Sequence, residues 1–519
     1  MASEKASVLL LNLAAMVERA DEALLPALYA EVSADLGVGL PALEWITFVR
    51  ALVQALAAPM AAYLALRHNR VHIVAAGAFC WALATASVAV STSFWQTASV
   101  SESFQDLDCE LAALARALNG VGLAIVAPAI LSLVADFTRD ESRGVAFGWL
   151  YGAGQIGSVA AGAFVTLMGS HTVMGIGGWR AVFICMSLSS ILMGLAIFTL
   201  GHDPRANQEY SQIGENYHAK SVESQGAAAN VEEFIQGSKL VLKVKTFQIL
   251  VVQGVLGRLP WHAVVFLAPW MRLIGFSHSA ASHVVSLLFI GSACGSVVGG
   301  WVGDRAARWS PNKGRIICSQ FSAGMGIPLS AVLLIRFPTD TGSLWTYGSM
   351  IFTLGFLISW ILPATSWPIF SEVVPEELRT TIFAIDLAIE KFFSAFSAPL
   401  VAFVAKRLFG HRNMKATVED DEFNSSALGK AFFACISVPC VCVILIMFLV
   451  YVTYPKDREQ AKNVKALADE IRALEMGENW ENEEDRVWDD GWEDVDEDDD
   501  DLDLTLLLER ERLRDQGIT

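Results

Sequence analysis

Long apolar runs alternate along the chain with short polar segments, and this alternation predicts its elements. Twelve runs stand out, at 7–29, 43–66, 71–94, 111–135, 144–168, 179–200, 247–271, 283–302, 315–335, 344–369, 380–408 and 431–454. Each can cross a hydrocarbon layer about 30 Å thick as a helix. A backbone in hydrocarbon must satisfy its own hydrogen bonds, which selects helices here. A polar segment at 202–245 divides the runs six and six, and an unusually polar connection, 95–110, joins the third to the fourth. The expected architecture is an all-α membrane protein of twelve transmembrane helices. It comprises an N-terminal six-helix bundle (1–201), a linker (202–245), a C-terminal six-helix bundle (246–454) and an acidic tail (455–519). The first run soon meets Glu18 and Arg19, so it reads as a spanning helix rather than a cleavable signal.

Composition agrees with a bilayer as solvent: 54% of the 519 residues are hydrophobic and 18% are charged. The net charge of −18 changes the picture only through its location. Residues 455–519 hold 24 acids and 9 bases, a net of −15 that leaves −3 for 1–454. The body therefore has no basic face for phosphate, which excludes nucleic acid as its ligand. Seven of the eight cysteines lie in apolar runs, a packing usage that implies neither disulfides nor a metal site. No H-E-x-x-H, P-loop or nucleophile elbow occurs, so neither an enzyme nor a cofactor is expected.

Loop bases set the expected orientation. Loops after even-numbered runs carry Arg67 and Arg70; Arg139 and Arg143; Arg205, Lys220, Lys239, Lys243 and Lys245; Arg305, Arg308 and Lys313. Loops after the first and third runs carry none, which places both termini in the cytoplasm; the loop before the last run, with Lys406, Arg407, Arg412, Lys415 and Lys430, dissents. The two halves also repeat. AAYLALRHNRVHI (61–73) returns as GGWVGDRAARWS (299–310) at an offset of 238, and DFTRDESRGVAF (136–147) returns as EVVPEELRTTIF (372–383) at 236. Two matches at nearly one offset point to parallel six-helix repeats, a transporter architecture with its site between the halves.

At these residues the chain resembles the major facilitator superfamily over about 7–454. GGWVGDRAAR matches that family's G-x-x-x-D-R-x-x-R loop, while the first-half copy has Leu66 in place of the acid and Ala62 in place of the glycine. The resemblance implies a gate at this loop, built from Arg67, Arg70, Asp136, Arg143, Asp304, Arg305, Glu372 and Arg379. Arg116-Ala-Leu-Asn-Gly120-Val-Gly122 resembles the fourth-helix R-x-x-x-G-x-G motif. Gly154-Gln-Ile-Gly157 with Gly162 faintly resembles the fifth-helix antiporter motif without its proline. Asn12, Glu18 and Arg19 in the first helix, and Arg67-His68-Asn69-Arg70, resemble the Spinster branch; Leu123 stands where that branch usually has a glutamate. Proton-coupled export of lysophospholipids or sphingoid phosphates is what that branch implies.

Ionisable groups inside a bilayer are costly, so each is a functional candidate. The first helix carries Glu18, Arg19, Asp21 and Glu22, the second Arg50, the fourth Arg116, the seventh Arg258 and His262, and the eleventh Asp386, Glu390 and Lys391. The interiors of the third, sixth, ninth and twelfth runs carry none, as expected of lipid-facing helices in the facilitator fold. Glu18 with Glu22, Arg258 with His262, and Asp386 with Glu390 are i,i+4 pairs on one helix face. Glu18, Asp21, Glu22, Asp386 and Glu390 are the proton-coupling candidates, with Glu18 foremost. Arg50, Arg116, Arg258 and His262 are the substrate-binding candidates, since guanidinium holds phosphate or carboxylate with two hydrogen bonds. The bland alternative is a permanent ion pair, Arg19 with Glu22 or Asp386 with Lys391. Pro26, Pro128, Pro363, Pro368 and Pro399 predict kinks.

In the tail, 456–476 predicts a short charged helix. Residues 478–503 hold 16 acids and one base among Trp480, Trp488 and Trp492, a composition of disorder or of a docking motif for a basic protein. Asp503-Leu-Thr-Leu-Leu507-Leu508 matches an acidic dileucine signal for a sorting adaptor. The expected protein is a monomeric, proton-coupled secondary transporter for a small organic anion or lysolipid-like amphiphile. The alternative is a non-transporting sensor or scaffold that signals through its tail. The host membrane, plasma membrane or a vacuole- or lysosome-like endomembrane, stays open.

Overall fold

The computed structural model describes residues 2–36, 40–90, 105–169, 171–173, 175–205, 227–336, 344–396, 403, 407 and 418–488. It divides into two compact units, Met1–Lys462 and Asn463–Thr519. The first unit holds both bundles. Its first half runs α1 (Ala2–Ala27), α2 (Tyr29–Leu36), α3 (Leu40–Ala57), α4 (Pro59–Ala65), α5 (Arg70–Val90), α6 (Gln105–Phe137), α7 (Arg143–Met168) and α8 (Gly178–Leu200). A short antiparallel hairpin, β1 (Thr172–Val173) with β2 (Ile176–Gly177), turns at Gly175, whose φ of 81° suits glycine. Then come α9 (Ala227–Lys243), α10 (Lys245–Ala263), α11 (Leu267–Leu273), α12 (His278–Trp309), α13 (Gly314–Ala331), α14 (Leu344–Ile358), α15 (Trp367–Glu372), α16 (Arg379–Ala395) and α17 (Val418–Trp488). Helix α17 runs through the segment expected as a short charged helix and on to Trp488, into residues that composition alone reads as disorder. The dileucine match and Pro399 lie outside the described residues.

Ten helical segments among the described residues are long and apolar enough to cross a membrane. The expected runs at 7–29 and 380–408 correspond to α1, with four charges in its interior, and to α16, described for 17 residues. The chain belongs to an all-α architecture of two six-helix halves; of the expected kinks, Pro128 lies inside the unbroken helix α6. Pro26 ends α1, and Pro363 lies in a π-helical turn (Ile361–Ser366) that Pro368 follows at the start of α15. Pro260, not anticipated, precedes the 3-10 turn that separates α10 from α11. Each lacks the N–H that would continue the helical ladder.

The halves meet along two seams. At one, α7 packs on α12 through glycines: a Cβ at Gly144 would lie 2.7 Å from Gly300 O, and one at Gly148 would lie 2.9 Å from Val297 Cα. Only a bare backbone permits that approach. At the other, α3 and α4 pack on α16. Outward-facing leucines, valines and phenylalanines such as Leu192, Phe198, Phe321, Leu445 and Phe448 cover α8, α13 and α17, consistent with the uncharged sixth, ninth and twelfth runs.

Candidate functional site

Three layers of contact cross between the halves. They appear in order along α16, from Arg379 through Phe383 to Glu390 and Lys391.

The first layer is at the basic-loop end. Asp136, at the end of α6, accepts from Arg70 Nη1 (2.5 Å), Arg205 Nε (2.8 Å) and, across the seam, Arg379 Nη1 (2.6 Å). Thr380 Oγ1 donates to Ser132 across the same seam (2.9 Å), and Arg205 donates to the carbonyl of Glu376. Asp203 receives Arg70 through its backbone N (3.0 Å), Nε (3.0 Å) and Nη2 (2.5 Å). Burial raises the Asp203 carboxyl, but the hydrogen bonds and charge of Arg70 outweigh it and hold the group below its ordinary value. On the other seam Asp304 accepts from the backbone N of Gly144 (2.9 Å) and Val145 (2.8 Å), at the start of α7. An acid here meets unpaired N–H groups and the positive end of the helix dipole. Arg315 joins Asp304 (3.1 Å) to Glu372 (3.2 Å), and Tyr454 and Arg458 also reach Glu372.

Aromatic rings form the second layer. Phe147 and Tyr151 of α7 meet Trp367 at 5.5 and 6.0 Å between centroids. Phe147 also meets Phe383 at 6.1 Å, and Tyr151 meets Trp261 at 6.5 Å.

The third layer is the central charge cluster. Helix α1 presents adjacent acids to different neighbours, because successive residues of a helix point about 100° apart. Asp21, with no exposure, accepts from Thr85 Oγ1 (2.7 Å) and Asn119 Nδ2 (2.8 Å), and Arg116 Nη1 lies 3.7 Å away. All these partners belong to the first half. Glu22 instead accepts from Arg19 (2.8 Å), Arg50 (3.4 Å) and, across the seam, Lys391 Nζ (2.6 Å). Glu18 is buried one turn away, with no ion pair within 4 Å among the described residues. In the second half, Glu390 accepts from Arg258 Nε (2.8 Å) and Nη2 (2.5 Å), and Ser394 and His262 are hydrogen-bonded. Asp386 is buried, and its Oδ1 has no protein hydrogen-bond partner. Beyond the cluster, Phe48 of α3 and Phe396 meet edge-on at 5.4 Å.

The residues expected at the gate gather at the basic-loop end, except that Arg67 and Arg305 are exposed, Arg67 pairing with Glu233. The repeat at offset 238 pairs Arg70 with Arg308, but Arg70's role falls to Arg315. Each sits in the first turn of its helix and grips the acid closing the next span, Asp136 or Glu372. The segment from Asp304 to Arg315 is longer than its counterpart from Leu66 to Arg70, which displaces the match. Lys391 pairs with Glu22, and not with Asp386. Five residues apart on one helix, Asp386 and Lys391 point about 140° away from each other. Sequence reading missed Asp203, Arg205, Arg315, Thr85 and Asn119. The last two are neutral polar groups inside apolar runs, and the cost of burying them was the available signal.

The family model described as Major Facilitator Superfamily matches residues 11–399. No curated protein matches the chain. Among solved structures, it is similar to the proton:xylose symporter XylE bound to 6-bromo-6-deoxy-D-glucose, with a TM-score of 0.63 at 15% identity, covering 86% of this chain and 95% of that one. It is also similar to a bacterial homologue of the human lysosomal transporter Spinster, inward-facing and unoccupied, with a TM-score of 0.56 at 19% identity, covering 88% and 98%. At these identities the likeness is one of fold.

Proposed function

Because the chain belongs to the Major Facilitator Superfamily, we propose that it is a proton-coupled secondary transporter that moves a small organic anion or a lysolipid-like amphiphile by alternating access. The observation that carries this reading is the ion pair from Lys391 to Glu22, which joins the two halves inside a buried cluster (2.6 Å). When the halves rock, that pair must part, whereas Asp21–Arg116 and Glu390–Arg258 each stay within one half. A substrate anion that takes over Lys391 or Arg258 supplies the charge the parting removes. Glu18 is the proton carrier in this reading, since protonating it breaks no ion pair. Proton coupling in the similar symporter XylE agrees with the proton-coupled reading.

The basic-loop end is the cytoplasmic gate, closed here by Asp136–Arg379 and by Asp304 on the start of α7. Asp136, Arg143, Asp304, Glu372 and Arg379 hold that gate, and Arg116 positions Asp21. The chain works as a monomer, and its acidic tail serves sorting or regulation.

Proteoliposomes with an imposed pH gradient test this. Internal pH and an internal solute panel are followed together. Substrate-dependent proton movement that disappears in Glu18→Gln is the expected result. Coupled flux unchanged in Glu18→Gln refutes the assignment of Glu18, and no flux across a broad panel favours the sensor reading.

A further inference from the structure

The central cluster contains buried polar atoms that no protein group satisfies. Gln54 of α3 has no protein partner for Oε1 or Nε2. The same holds for Arg50 Nε one turn earlier, for Arg116 Nε and Nη1, and for Asn119 Oδ1. None of these four side chains belongs to a residue more than 7% exposed. Arg50 and Gln54 share a face of α3, and that face meets α6 at Gly120, where a Cβ would lie 2.6 Å from Arg50 O and 3.3 Å from Gln54 N. Arg116 and Asn119 lie within about one turn of that crossing.

A buried polar atom without a partner costs about as much as the bond it forgoes, so such a grouping marks a place for a ligand. The atoms also specify what fits. Arg50 and Arg116 offer three donors on guanidinium groups that stay charged, and Gln54 Nε2 offers a fourth. Arg116 Nη1 lies 3.7 Å from Asp21, close enough for charge attraction but beyond hydrogen-bond distance, while Thr85 and Asn119 bond the two Asp21 oxygens. Gln54 Oε1 and Asn119 Oδ1 want a donor in return. The orientation of Asn119 is fixed, because its amide nitrogen must be the atom that faces the Asp21 carboxylate. The complement is an acceptor-rich anion that also carries a hydroxyl.

We propose that the α3–α6 crossing binds a hydroxylated oxyanion, of the hydroxy-acid or phosphorylated-polyol class. Arg50 and Arg116 hold the carboxylate or phosphoryl oxygens, and Gln54 with Asn119 holds the hydroxyl. The proposal rests on the transporter reading and names the substrate class for it. Arg50 also contacts Glu22 (3.4 Å), so an oxyanion that draws Arg50 away leaves Glu22 to Arg19 and Lys391 and ties occupancy to the seam between the halves.

Calorimetric titration of the full chain in nanodiscs tests this with matched probes: glycerol 1-phosphate against propyl phosphate, and glycerate against propionate. The hydroxylated member of each pair should bind about ten- to a hundredfold more tightly. Gln54→Leu, which removes two unsatisfied atoms and should fold, weakens glycerol 1-phosphate more than propyl phosphate and brings that ratio close to one. Equal affinities within a pair, a ratio that survives Gln54→Leu, or no binding of any probe overturns the site. The flux assay reads the other claim separately. Proton-driven flux of a different solute, with none of these probes bound, overturns the site and leaves the transporter standing. No flux of any solute overturns the transporter, whatever the titrations show.

Discussion

Asp21 and Glu22 are neighbours in sequence and opposites in environment. Asp21 is sealed among Thr85, Asn119 and Arg116, all from its own half. Glu22 draws on Arg19 and Arg50 from its own half and on Lys391 from the other. An acid satisfied within one rigid body keeps its partners when the bodies move, and one shared between bodies does not. In the proposed cycle the first therefore supports the fold of its half, and the second is where movement and charge are linked. The second half contrasts in the same way, with Glu390 clamped by Arg258 in its own half and Lys391 reaching out of it.

The largest expected effect comes from breaking the sealed acid. Asp21→Ala leaves Arg116 charged, buried and unpaired, at a cost of about 3–5 kcal/mol. Thermal unfolding in detergent should fall steeply, the largest stability loss of the set. Lys391→Met should act on transport instead. Glu22 keeps two arginines, so the unfolding temperature drops less than in Asp21→Ala, while substrate-driven proton movement is lost in proteoliposomes. Equal effects of the two changes on both readouts would erase the distinction.

The gate offers a smaller and sharper contrast. On one seam Asp304 caps the start of α7, and on the other the corresponding position is Leu66. Leu66→Asp supplies the missing acid near the start of α16 and should favour the closed gate by about 0.3–1 kcal/mol. Slower labelling of a cysteine placed between the halves at the basic-loop end would show it. The smallest effect is expected at Arg67–Glu233, an ion pair 38% and 54% exposed, where Glu233→Gln should change gate labelling very little.

The spans and the charged candidates were legible in the sequence because a bilayer makes both conspicuous: apolar runs must be long, and charges inside them must be few. The i,i+4 spacing correctly put Arg258 and His262 on one face, toward Glu390 and Ser394 of α16. Which acid would cross the seam was not legible. Glu18, Asp21 and Glu22 differ in partner only through the positions of α5, α6 and α16, which no local pattern specifies. Arg315 and Asp203 were obscured for a different reason. Both lie at helix ends, where charge is ordinary, and only folding brings them to Glu372 and Arg70.

Coupled transport requires that α1 parts from α16 during the cycle and stays fixed to α6. Spin labels at exposed Leu13, Leu118 and Phe393, in a chain whose native cysteines are replaced, report both distances by double electron–electron resonance. The Leu13–Phe393 distribution should show two populations whose ratio shifts with pH and substrate, while Leu13–Leu118 stays single and constant. A single unchanging Leu13–Phe393 distance under every condition, or a shift of equal size in both pairs, would contradict it.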